Sequence, residues 1–156
     1  MPRPKKRGFM YFPLDTDFFT DENVKLLRRS YGGTGVLTYI NLMCKIYRNG
    51  YYYCFDDMEM LAADIAEEIS NSQLNHTAET VQKCIRLLVV RGTLDRELFD
   101  MGVLSGKEIQ EQYIVSCARA KRASYPEEYA LVNTENVLAR NGMKTSSEKM
   151  NFLKTC

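Results

Sequence analysis

Glycine punctuation sets the scale of anything this chain can build. Between residues 20 and 123 the apolar residues recur with helical spacing, but Gly32-Gly33, Asn49-Gly50, Gly92 and Asp100-Met101-Gly102 cut that pattern into short pieces. No piece is long enough for a coiled coil, and none approaches the ~18 apolar residues of a membrane span. The pieces must therefore bury their apolar faces against one another.

Each piece carries its own start signal. Thr20, followed by Asp21 and Glu22, reads as an N-cap with acids in the first turn; Val24, Leu26 and Leu27 give a first helix its apolar side as far as Ser30. Thr34 opens a second and central helix with Val36, Leu37, Ile40, Met43, Cys44 and Tyr47 at helical spacing. Residues 51–55, Tyr-Tyr-Tyr-Cys-Phe, are too short for a helix and favour a strand. Asp56 or Asp57 caps a third helix with Met58, Leu61, Ala62, Ile65 and Ile69, and Met60 is expected to pack there too. Thr77 caps a fourth, with Val81, Cys84, Ile85 and Leu88 on one face. Residues 93–99 and then Val103 and Leu104 read as two short strands bent at residues 100–102. Ser105 and Glu108 have the spacing of a capping box, opening a last helix through Ile109, Tyr113, Ile114 and Cys117.

This order predicts a mainly α fold with a small β-wing: a winged helix-turn-helix with extra N- and C-terminal helices. The domain reading is a basic mobile tail over residues 1–8, a winged-helix domain over 9–123, and a polar, disordered tail over 124–156. A short helix near Thr134 to Arg140 is the alternative within that last stretch. At 156 residues and 45% hydrophobic content the chain can bury one core. Five aromatic rings at Phe9, Tyr11, Phe12, Phe18 and Phe19 are expected to be buried, anchoring the basic tail to it.

Composition narrows the function. The net charge of +1 means that affinity for nucleic acid must come from local basic patches. The five cysteines are widely spaced and odd in number, without a CxxC pair, and His76 is the only histidine. This pattern fits reduced thiols in the cytoplasm and gives no metal site. The basic start is followed by a segment broken by Pro13, Asp15 and Asp17 instead of an apolar secretory core, so no signal peptide is expected. Asp15 and Asp17 read as turn formers. Phosphate-loop, nucleophile-elbow and metalloprotease motifs are missing from the sequence. The expectation is a non-enzyme with no catalytic residues, no cofactor, no small-molecule substrate and no membrane partner.

The candidate contacts are therefore cationic. Arg3, Lys5, Lys6 and Arg7 can follow a phosphate backbone or enter a minor groove. On the fourth helix, in the place of a recognition helix, Gln82 suits adenine, while Lys83 and Arg86 suit guanine or phosphate. Arg119, Lys121 and Arg122 form a third cluster that also suits a helix C-terminus. Against groove binding stands a stretch from Arg48 to Lys83 with no cation between them and with Asp56, Asp57, Glu59, Asp64, Glu67, Glu68 and Glu79 inside it. The three tyrosines 51–53 resemble a stacking platform, but strand alternation turns at least one of them to the core.

Residues 11–19 (Tyr-Phe-Pro-Leu-Asp-Thr-Asp-Phe-Phe) and 44–52 carry a family likeness, as do Arg91-Gly92, Leu98-Phe99, residues 102–105 and residues 109–113. Together they resemble the N-terminal domain of DnaD-like replisome organisers of phages and Gram-positive bacteria, over residues 1–123. The resemblance implies a winged-helix protein that works in replication initiation by self-association into homo-oligomers, DNA binding or both, with other replication proteins as further candidate partners. It also implies a further C-terminal module in relatives, which this sequence is expected to lack. A pure protein-interaction module and a sequence-specific transcription regulator are the alternatives.

Overall fold

The structure, a computed structural model, describes residues 8–122 and 125–143. It divides into two compact units, Met1–Ser105 and Gly106–Cys156. The described chain is mainly helical, with one two-stranded antiparallel sheet.

The first unit is organised by α1 (Glu22–Asn49). Its N-cap is Asp21 instead of Thr20: the Asp21 carboxylate accepts from the amides of Asn23 and Val24, whereas the Thr20 hydroxyl is engaged by the Asp17 carbonyl. Gly32, at φ 59° and ψ −142°, breaks α1 into two arms, as the glycine pair predicts. Residues 27 and 35 would stand about 12 Å apart along an unbroken helix. A Cβ on Gly35 would instead lie 2.7 Å from the Leu27 carbonyl oxygen, so the second arm folds back beside the first. This close approach also rotates the buried face. Gly35, Thr38, Leu42, Met43, Ile46 and Tyr47 point inward, while Leu37 and Cys44, expected in the core, are exposed.

α2 (Met58–Ile69) and α3 (Ala78–Val90) pack on α1 and on each other. Asp57 and Thr77 cap them, as their spacing predicts. Leu61, Ala62, Ile65, Val81, Cys84, Ile85 and Leu88 are buried, but Met60 is 65% exposed and does not join the packing expected of it. The α2–α3 turn is tied down by polar groups. The Asn71 carboxamide oxygen accepts from the amides of Gln73 and Leu74, Ser70 Oγ accepts from the His76 amide, and His76 Nδ1 stands 2.5 Å from Thr34 Oγ1 on the second arm of α1.

The sheet is smaller than the sequence pattern predicts. β1 (Tyr53–Cys54) pairs with β2 (Val103–Leu104), Tyr53 opposite Leu104 and Cys54 opposite Val103. The strand expected over residues 93–99 is absent, because Asp95 caps a short helix, α4 (Arg96–Asp100), by accepting from the Leu98 amide. That cap satisfies an orphan helix donor and lets Leu98 turn inward. Ser105 likewise does not cap the next helix. Its hydroxyl donates to the Tyr51 carbonyl at 2.6 Å, and the N-cap position falls to Gly106.

The aromatic N-terminal segment is only partly anchored. Phe18 is buried near Tyr39, with ring centroids 5.5 Å apart, and Phe12 stacks on Tyr47 at 5.2 Å. The Phe9 amide donates to the Tyr47 carbonyl, and Gly8 lies so close that a Cβ would collide with the carbonyl oxygens of Tyr47 and Arg48. Tyr11 and Phe19, by contrast, are 84% and 64% exposed, contrary to the expectation that all these rings are buried.

In the second unit, α5 (Lys107–Arg119) and α6 (Thr134–Arg140) enclose Ile114, Val137 and Leu138. α6 is the short helix given above as the alternative for this stretch. A seven-residue helix is marginal alone, so its apolar pair against α5 supplies the stability. Gln110 is fully buried and spans the connection, donating to the Tyr129 carbonyl and accepting from the Leu131 amide.

Candidate nucleic-acid interface

The amphipathic pattern of α3 leaves Glu79, Lys83, Arg86 and Val90 exposed, with Gln82 half-buried beside them. Gln82, Lys83 and Arg86 therefore share one side of the helix, at the spacing that makes side chains neighbours. Lys83 is not wholly available, because its Nζ stands 3.5 Å from Glu79 Oε1 one turn away. Arg86 forms no ion pair among the described residues.

The acidic counterpart lies on α2, where Glu59, Asp64, Glu67 and Glu68 face solvent. One of these charges is compensated: Lys45 Nζ and Asn41 Nδ2, both from α1, donate to the two Glu68 oxygens at 2.8 and 2.7 Å. These hydrogen bonds hold the Glu68 carboxyl below the usual glutamate range.

The third cationic cluster belongs to the second unit. Arg119 is exposed at the end of α5, and Lys121 is exposed in the left-handed conformation, φ 56°. Arg122 is half-buried, and its guanidinium bonds the Tyr113 side chain. Burial pushes the Tyr113 hydroxyl up to about 12, opposed by that Arg122 contact, and burial also raises the Cys117 thiol. Arg122 thus has a packing role at the helix end, while Arg119 and Lys121 face water. The basic tail, Arg3, Lys5, Lys6 and Arg7, lies outside the described residues.

A further set of cations was not singled out by the sequence reading. Lys25, Arg28 and Arg29 follow one another at helical spacing on the first arm of α1, and Arg91, the C-cap of α3, lies beside Lys25 and Arg29 at a shallow cavity. The first three could have been found from their i, i+3, i+4 pattern. Arg91 joins them only through the tertiary fold.

Residues 11–109 match a family described as Lin1244/Lin1753-like, N-terminal. The chain belongs to this family. It is 31% identical over 139 residues to an uncharacterized phage-related protein, Lin1244/Lin1753, of Listeria innocua serovar 6a, a match covering 88% of this chain and 43% of that protein. The chain therefore spans less than half the length of this relative. No solved structure matches it. The family match includes α3 with Gln82, Lys83 and Arg86, and the first arm of α1; Arg119, Lys121 and Arg122 fall beyond it.

In the described residues no helix is long and apolar enough to cross a membrane.

Proposed function

We propose that this phage-related chain is a non-enzymatic, winged-helix DNA-binding protein that assembles with itself and acts in replication initiation of a phage or mobile element, in the manner of DnaD-like replisome organisers. The observation that carries the reading is α3: a helix packed on α1 and α2 with Gln82, Lys83 and Arg86 on its solvent side, in a unit that also holds the small β1–β2 sheet. Helices so held can present polar side chains to a groove, with phosphate contacts supplying most of the affinity. Other replication proteins are its further partners in this reading, and the cytoplasm its location.

Fluorescence anisotropy with single-stranded, duplex and forked DNA across a salt series tests it, with light scattering on the same samples. Salt-sensitive binding by an oligomer is the expected result. A monomer with no DNA affinity at low salt would overturn it.

The second reading is an interaction module without DNA binding of its own. It is favoured by the exposed apolar side chains Met10, Tyr11, Leu14 and Phe19 and by the acidic α2. A defined oligomer that ignores DNA in the same experiment would establish it.

A further inference from the structure

We infer that Lys25, Arg29 and Arg91, with Asn23 as positioning residue, bind the phosphodiester backbone of nucleic acid at a site distinct from the Gln82, Lys83 and Arg86 side of α3. The inference rests on the DNA-binding reading above and gives it a location.

Asn23 is half-buried in the first turn of α1 and links that helix to the end of α3. Its Nδ2 donates to Thr93 Oγ1 at 3.2 Å, and its Oδ1 accepts from Arg91 Nε at 2.9 Å. The Nε edge of the guanidinium is thereby held, and the Nη donors are left for an outside acceptor. A planar guanidinium fixed in this way suits a phosphate better than a freely moving cation does.

Arg91 meets Lys25 and Arg29 at a cavity of about 320 Å³ that is open to solvent and lined also by Glu22 and Leu26. Three cations there face one carboxylate. Among the described residues, neither Lys25, Arg29, Arg91 nor the neighbouring Arg28 forms an ion pair. The lining has no aromatic ring on which a base could stack, so its cations are suited to phosphate and not to a stacked single strand. Lys25, Arg28 and Arg29 extend the positive charge along a helix, as a strand of phosphates requires and a single small anion does not.

The full chain is titrated into a fluorescein-labelled duplex of arbitrary sequence between about 50 and 200 mM salt, the range over which phosphate contacts are most visible. The triple variant Lys25→Ala, Arg29→Ala, Arg91→Ala should bind at least ~10-fold more weakly at low salt. The slope of log affinity against log salt should become shallower by about 2 to 3, at roughly 0.9 for each phosphate no longer neutralised. Asn23→Ala keeps every charge, and should weaken binding several-fold while moving the slope by at most about 0.9, the equivalent of a single phosphate. Should the triple variant lose its circular dichroism, Arg29→Ala alone carries the test, with a slope change near ~0.9. A folded triple variant with wild-type affinity and slope overturns this site and leaves the DNA-binding reading standing. Wild-type protein without salt-sensitive binding overturns both.

Discussion

A methyl group on Gly35 would stand 2.7 Å from the carbonyl oxygen of Leu27 and 3.1 Å from its Cβ. Backbone meets backbone there, and this approach holds the two arms of α1 together. Gly35→Ala should accordingly force the arms apart and destabilise the protein by about 1 to 3 kcal/mol, as overpacking does. Gly33 has nothing within 4 Å of its would-be Cβ and a φ outside the left-handed region. Gly33→Ala should be neutral or stabilise by up to ~1 kcal/mol through helix propensity. Urea unfolding of the two variants checks the contrast, and equal midpoints would refute it.

Glu68 provides a pH test of the α1–α2 contact. Its folded pKa is lowered, first by the Lys45 hydrogen bond and then by that of Asn41. A depressed carboxylate contributes stability that is full above its unfolded value, about 4.3, and is lost as pH falls through the lower folded value. Since the Glu68 side chain is 48% exposed, solvent screening keeps the contribution to roughly 0.5 kcal/mol. Glu68→Gln should be slightly less stable than wild type at neutral pH, and the two unfolding curves should converge below the carboxylate range. A gap that persisted at low pH would assign the effect to packing.

Thiol reactivity should follow burial. Cys84 is inaccessible, and burial raises its thiol to about 11. Cys117 is buried and raised by the same cause. Cys44 and Cys54 are exposed. In a Cys156→Ser background, iodoacetamide near pH ~8 should alkylate Cys44 and Cys54 in native protein and reach Cys84 and Cys117 only after denaturation. Mass mapping of the adducts reads the order directly.

Gln110 holds the α5–α6 connection with both ends of its carboxamide. Gln110→Met keeps the volume but removes its hydrogen bonds to the Leu131 amide and the Tyr129 carbonyl, both only part-buried, a cost of about 0.5 to 1.5 kcal/mol for each bond lost. Leu138→Ala should loosen α6 through lost burial, by about 2 to 4 kcal/mol. Both should speed hydrogen exchange at the α6 amides, while the amides of α3 in the other unit serve as the internal reference.

Local signals are legible wherever they are self-sufficient. Asp57 and Thr77 cap the helices that their spacing assigns to them, and Gly32 breaks the helix where the glycine pair stands. Such features depend on a few neighbouring atoms, so a short window contains their cause. Residues 93–99 look like a strand in sequence because Asp95 is a weak signal there; it becomes decisive once its side chain caps α4. Leu37 and Cys44 fall outside the core because small Gly35 and Thr38 take the inward face. An apolar pattern cannot anticipate a face chosen for close approach.

The cationic residues show the same division. Lys25, Arg28 and Arg29 stand together by helical period alone, and the grouping of Gln82, Lys83 and Arg86 on α3 is readable from its spacing. That Arg91 faces the first arm of α1, that Asn23 fixes its orientation, and that Glu68 draws off Lys45 are settled by packing, whereas the Glu79–Lys83 pair follows from helical spacing. The sequence by itself determined the starts of α2 and α3, the break at Gly32 and the supply of charge, because these follow from short-range bonding. Which charges became paired and which were held by neutral partners depended on groups as far apart as residues 45 and 68, or 23 and 91, and only the tertiary structure brings such groups within reach of one another.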